Sequence, residues 1–277
     1  VWEGVRRDSR RYAVTAAVII LVLSMATYRR NQVWRDGISL WEDVVRKSPL
    51  KGRGYLNLSA NYISRGDYTK AVRFAKLSIE RAPDDPDVYT NLGGVFHQAG
   101  KWRQAIRMYR KALTFKPANA VKIHNNLGVV YSKIGNVAKA AKMFDNAIRE
   151  DPDFAASYMN LGLAMQTQGQ TKKAVKLYQQ ALSKDPYYAE AHCNLSLLYI
   201  ENDDASKAVE HARQAIRNKP RYVEAYHALA AGHGMLGQYR KAIGFAKKCL
   251  ELNPDYVPCY RNLATTYAKK GDWEKAR

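Results

Sequence analysis

Three kinds of side chain in this sequence could do chemistry: six histidines, three cysteines and a regularly spaced row of asparagines. Metal capture or nucleophilic catalysis needs such residues at characteristic spacings, as in His-Glu-x-x-His for zinc, or on a nucleophile elbow or a phosphate-binding glycine loop. None of these patterns occurs. Cys193, Cys249 and Cys259 form no Cys-x-x-Cys pair and have no histidine at zinc spacing, so neither a metal site nor a disulfide framework is indicated. The sequence therefore assigns no catalytic, metal or cofactor-binding residue. The sequons Asn57-Leu-Ser and Asn194-Leu-Ser lie in helical patterns, where a glycan acceptor would lack an accessible, flexible backbone. Recognition remains: a carboxamide both donates and accepts, and a ladder of them can pair with the backbone of an extended peptide.

The elements that would hold this ladder come from a repeat. Pro49, Pro83, Pro117, Pro152, Pro186, Pro220 and Pro254 are separated by 34, 34, 35, 34, 34 and 34 residues. A period that strict marks one supersecondary unit used many times. In residues 87 to 117, Leu92, Gly93 and Phe96 share one helical face, and Ala105, Tyr109 and Ala112 share another. The spacing predicts two amphipathic helices turning at Gly100, with small residues allowing close approach and aromatics filling the remaining space. Pro117 ends the second helix, because it has no amide hydrogen to donate. Each pair leaves apolar surface bare, so the pairs must stack.

With each unit counted so that its proline is position 32, leucine recurs at position 7, from Leu58 to Leu263, and alanine at position 20, from Ala71 to Ala276. On these residues the chain resembles the tetratricopeptide repeat (TPR) family over residues 52–277, as six full repeats and part of a seventh. One extra residue precedes the third unit, and Asp203 replaces the turn glycine of the fifth, where Asp tolerates a left-handed backbone better than most. The resemblance implies an all-α superhelical solenoid of antiparallel helix pairs whose first helices line a concave, peptide-binding groove. Position 6 would face that groove, and it holds Asn57, Asn91, Asn126, Asn160, Asn194 and Asn262, with Ala228 breaking the row. Either the row binds ligand, as in the similar arrays of O-GlcNAc transferases, or it only bridges neighbouring helices. His97 and His227 should also face the groove. His124 and His192 fall at the tyrosine position 4, and His233 at the aromatic position 11, which makes them core rings. Cys249 and Cys259, at positions 27 and 3 of adjacent units, would be brought close by stacking, and either remain free thiols or form a disulfide.

The start of the chain reads differently. After a basic flank, 1–11, residues 12–28 contain no charge and are bracketed by Arg10, Arg11, Arg29 and Arg30. A bilayer span needs about 17 to 25 apolar residues, and flanking arginines can snorkel outward. The expectation is one transmembrane helix; a signal peptide cleaved after Ala26 is the alternative, and burial in a core fits the flanking arginines poorly. Residues 29–50 form a junction in phase with the prolines, with Trp34, Gly37, Trp41 and Val44 at second-helix positions 17, 20, 24 and 27. The span plus this junction looks like that of membrane O-mannosyltransferase-like proteins, which carry TPR arrays after their last span; no catalytic residue of that class can be carried over. The slight arginine excess before the span suggests an extracytoplasmic array.

The net charge of +20 invites a nucleic-acid reading, but lysines and arginines are scattered along the chain, and positions 2 and 13 mix signs, as in Arg53, Asp87, Lys122, Glu190 and Glu224. A phosphate-tracking groove would repeat one sign from unit to unit. The basic residues instead recur beside the second helix, as in Lys70, Arg103, Lys139, Lys173, Lys207, Lys241 and Lys275, which reads as a solvated outer face, with contact to an anionic membrane or polymer as the alternative. The expected function is a membrane-tethered, non-catalytic scaffold binding a peptide or protein partner in the groove, and a lipid bilayer through 12–28, without nucleic acid or cofactor. The alternative is the substrate-presenting tail of a membrane glycosyltransferase.

Overall fold

The computed structural model describes residues 21, 23–25 and 36–276. From Gly37 onward the described chain forms fifteen helices. It divides after Pro117 into two compact units.

The first unit contains α1 (Gly37–Lys47), α2 (Gly52–Ser64), α3 (Tyr68–Arg81), α4 (Pro86–Gln98) and α5 (Trp102–Leu113). The second contains α6 (Ala120–Lys133), α7 (Val137–Glu150), α8 (Ala155–Thr167), α9 (Thr171–Lys184), α10 (Ala189–Glu201), α11 (Ala205–Asn218), α12 (Val223–Met235), α13 (Tyr239–Leu252), α14 (Val257–Lys270) and the single turn α15 (Trp273–Ala276). Consecutive helices pair, as α2 with α3, α6 with α7 and α8 with α9, and first helices also touch across repeats, as α6 with α8 and α12 with α14. The result in each unit is a TPR solenoid of helix pairs.

The turns explain why the helices begin and end where they do. Gly66, Gly100, Gly135, Gly169, Gly237 and Gly271 all have positive φ, and in the fifth repeat Asp203 takes that role at φ 58°. Position 16 then caps the second helix: Asp67, Asn136 and Asp204 accept the backbone N–H of Lys70, Lys139 and Lys207. Such caps satisfy an amide that the first helical turn leaves without a partner.

At position 4 a ring donates to the carbonyl of the preceding repeat's proline: Tyr55 to Pro49, Tyr89 to Pro83, Tyr158 to Pro152 and Tyr226 to Pro220. His192 does the same through Nε2, 3.1 Å from the Pro186 oxygen. His124, after the inserted residue, instead places Nδ1 3.1 Å from Glu150 Oε1.

Two solutions fill the joint inside each pair. In three repeats position 8 is glycine and position 24 aromatic: a Cβ on Gly93 would fall 2.7 Å from the Tyr109 ring, one on Gly162 2.7 Å from the Tyr178 ring, and Gly128 is equally closed by Phe144. In two others position 8 is Ser59 or Ser196 and position 24 is Ala75 or Ala212, and the hydroxyls donate to the carbonyls of Ala71 and Ala208.

α1 packs against α2, as a second helix would. Its Gly37 leaves no room for a side chain beside Asn61, Tyr62 donates to Glu42 at 3.1 Å, and Arg65 pairs with Asp36 at 3.0 Å. The expected bilayer span, 12–28, lies outside the described residues except for Leu21, Leu23, Ser24 and Met25, which are helical. Among the described residues, no helix is long and apolar enough to cross a membrane.

The cysteines correct one reading and decide another. Their spacing indicates no disulfide framework, yet Cys249 and Cys259, the pair that the repeat register brings together, form a disulfide, with Cα atoms 6.4 Å apart. Stacking brings the end of α13 to the start of α14, so a pair only ten residues apart in sequence joins two repeats. Cys193 is free and buried, and burial pushes its thiol up to about 12.

Candidate functional site: the asparagine row on the first helices

The first unit carries Asn57, Asn91 and His97. Asn91 is exposed and donates from Nδ2 to the Asp87 carbonyl one turn back on its own helix. Asn57 is half-buried on α2, and its carbonyl accepts from Asn61. The His97 ring lies 5.6 Å from that of Trp102, across the turn between α4 and α5.

The second unit shows what the asparagines do. Asn160 on α8 donates from Nδ2 to Asn125 Oδ1 on α6, at 2.9 Å. Asn194 on α10 reaches Met159 Sδ on α8 at 3.9 Å. Asn262 on α14 lies 2.9 Å from His227 Nδ1 and 3.0 Å from the His227 carbonyl on α12. In these three repeats the position 6 amide reaches the position 5 residue of the preceding repeat. Position 6 of the α12 repeat, Ala228, has no amide to extend and is buried beside Val209, Ala212 and Leu229. Asn126 is half-buried on α6 and makes no such bridge among the described residues.

The chemistry of the row follows from this bookkeeping. An Asn amide offers two N–H donors and a carbonyl acceptor. With one donor committed to a neighbouring repeat, each bridging asparagine fixes the stacking and still has polar capacity to offer. His227 must accept at Nδ1, since the Asn262 NH₂ can only donate, so the neutral ring carries its proton on Nε2; burial holds its pKa below the ordinary histidine value. Beside the row, position 9 supplies an apolar floor of Val129, Leu163 and Leu197, and Leu163 stands 45% exposed. The position 5 partners Asn125 and Met159 are the residues that sequence reasoning missed. Their spacing of 35 residues from Asn160 and Asn194 is one period plus one and was open to counting.

Among the described residues no three His, Cys, Asp or Glu side chains are grouped to hold a metal ion. His97 belongs to the first unit and His227 to the second.

The family model described as "Cilia and flagella-associated protein 70 C-terminal domain" matches residues 72–277, and a tetratricopeptide repeat model matches residues 52–85. The chain belongs to this TPR family. Among curated relatives, this TPR chain is 23% identical over 128 residues to the intraflagellar transport protein 88 homolog of Homo sapiens, covering 44% of this chain and 15% of that one. It is 24% identical over 111 residues to the protein CTR9 homolog of Arabidopsis thaliana, covering 40% and 10%. The chain thus spans no more than about a seventh of the length of these relatives. Among solved structures, a chain of the APC/C hetero-tetramer Cut9-Hcn1 superposes with a TM-score of 0.71 at 18% identity, over 82% of this chain and 45% of that chain. The MamA protein superposes with a TM-score of 0.51 at 27% identity, over 62% and 93%. The comparisons support TPR membership and lend no support to the O-mannosyltransferase likeness of the junction, whose described part, α1, instead packs as a TPR second helix.

Proposed function

We propose that this TPR array is a protein-binding scaffold, and that its second unit holds an extended segment of a partner protein along the first helices α6, α8 and α10. The observation that carries the reading is the exposed Leu163, flanked by Val129 and Leu197, beside asparagines that keep spare hydrogen-bonding capacity. An apolar floor with carboxamides along it suits a backbone that alternates side chains with peptide groups. The family takes its name from a protein associated with cilia and flagella, and one relative is an intraflagellar transport protein; both names support a place within a multi-protein assembly. A photo-crosslinking residue at Leu163 in the expressed chain should trap a partner protein that the same residue at exposed Asp145, on α7, does not. Equal trapping at both positions refutes the groove.

The apolar run at 12–28 carries the second part of the proposal, a bilayer anchor with the array on the extracytoplasmic side. Its support is the absence of charge between paired arginines, together with Leu21, Leu23 and Met25, which are 59–60% exposed. Resistance to alkaline carbonate extraction, abolished by deleting 12–28, is the expected result; full extraction of the intact chain would end that part of the reading.

A further inference from the structure

The lysines and arginines that recur beside the second helix in sequence are concentrated there by the fold. The six second helices α3, α5, α7, α9, α11 and α13 carry twenty-two of them against five acids, while the seven first helices carry six against four. In each unit the positive charge therefore sits mainly on the second helices and not on the first helices that carry the asparagine row.

Within the second unit this excess is greatest on α9, which has Lys172, Lys173, Lys176 and Lys184 and no acid. Lys184 is paired with Asp153 at 2.8 Å. The other three are exposed and, among the described residues, have no carboxylate in ion-pair range, unlike Lys207 on α11, which pairs with Asp204 at 2.7 Å. They border a surface depression of about 820 Å³ that is also lined by Val175, Gln179 and Asn202. Three neighbouring cations without counter-charge repel one another, and an anion placed among them removes that cost.

The surroundings choose the kind of anion. A nucleic acid strand running along the turns would meet Asp203 and Asp204, which line the next depression one repeat further on. Its evenly spaced phosphates would be repelled there, so the complementary charge must be short. A bilayer surface would need protruding apolar or aromatic side chains beside the lysines, and none of the large exposed apolar residues of the described chain stands on α9. The depression is concave, and Gln179 and Asn202 offer carboxamides to peptide groups.

We propose that the α9 depression docks a short acidic segment of a partner protein, with its carboxylates on Lys172, Lys173 and Lys176 and its backbone on Gln179 and Asn202. This surface is separate from the first-helix groove, so either can fail without the other.

The test is fluorescence anisotropy of labelled hexaglutamate titrated with the full chain. The expected result is saturable one-site binding that K172E/K173E/K176E weakens at least about tenfold and the matched triple R240E/K241E/K247E on α13 weakens less than about twofold. If the charge-reversed protein loses its helical circular dichroism, K172Q/K173Q/K176Q takes its place. Equal losses in the two triples would reduce the effect to net charge and overturn the site, as would no saturable binding. Tighter binding of a uridine oligomer or of phosphatidylserine vesicles than of hexaglutamate, abolished by the α9 triple, would assign the surface to a different class of ligand and overturn the proposal.

Discussion

Gly162 and Tyr178 form a single packing decision divided between two helices. The ring occupies the space that a Cβ on Gly162 would need, while two repeats of the same chain solve the joint with serine and alanine. Tyr178→Ala leaves a buried cavity and should cost about 3–5 kcal/mol, as other aromatic truncations do. Gly162→Ser alone drives an oxygen-bearing Cβ into the ring and should also destabilise. The double variant copies Ser196 with Ala212 and should recover at least about 1 kcal/mol relative to the sum of the singles. Urea unfolding of the four proteins measures this coupling, and additive losses would show that the joint is not shared. Gly162 and Tyr178 are both visible in the sequence as repeat positions. Their dependence on each other is not, because helical periodicity names the inward residues of each helix without saying which ones touch across the pair. The asparagine row was legible in the same partial way: the sequence offered ligand binding or helix bridging, and Asn160 and Asn262 do bridge in the second unit.

At the scale of helices, the fifth repeat differs from its neighbours by placing histidines where α10 and α11 meet. His192 donates from Nε2 to Pro186, so in its neutral form Nδ1 is an acceptor, and the proton of the 2.9 Å contact between the two Nδ1 atoms comes from His211. His211 also stacks on Tyr199, with Lys207 and Glu210 nearby. Burial lowers both pKa values below 6.5, and the charge of His192 lowers that of His211 further. The unfolded chain therefore takes up protons first, so this contribution to stability is complete above about pH 6.5 and is lost as pH falls toward the folded-state values. His227 and His233 shift in the same direction and for the same leading cause. Replacing the pair with the preceding repeat's residues at these positions, as in His192→Tyr with His211→Leu after Tyr158 and Leu177, should narrow the gap in melting temperature between about pH 7.5 and pH 5. An unchanged gap would place the pH sensitivity elsewhere.

The junction of α13 and α14 makes a second prediction at this scale. The Cys249–Cys259 disulfide closes a short loop, so its reduction should cost about 2–3 kcal/mol. Because stability in a repeat array is a sum of neighbouring terms, hydrogen exchange should rise on α14 and leave α8 unchanged. Native protein should show no thiol reactive to a disulfide reagent, and denatured protein one, because Cys193 is buried and held protonated. The repeat register placed this pair at facing positions and so offered the disulfide, but three cysteines without a motif could not choose between a bond and free thiols.

For the whole molecule, the repeat register already places lysines and arginines beside the second helix, as at Lys70, Lys139, Lys173, Lys207 and Lys241, and the helix bounds add how large the imbalance with the first helices is. Positions 22 and 25 add to the row at position 19, but their weight shows only when all of them are counted on the same class of helix. The ion pairs on this face, such as Lys207–Asp204 and Lys248–Glu251, are exposed and contribute little. Repulsion acts among many more cations, several of them one helical turn apart, as Lys173 is from Lys176, or on adjoining repeats, as Arg213 is from Lys247. Salt weakens both effects, with a screening length of about 10 Å at 0.1 M that reaches across neighbouring helices. Repulsion is the larger, so the midpoint of urea unfolding should rise as sodium chloride is raised from about 0.02 to 0.3 M. K172Q/K173Q/K176Q removes the densest cluster of the second unit and should be more stable at low salt while responding less to added salt. A midpoint that falls with salt in both proteins would mean that the exposed pairs outweigh the repulsion.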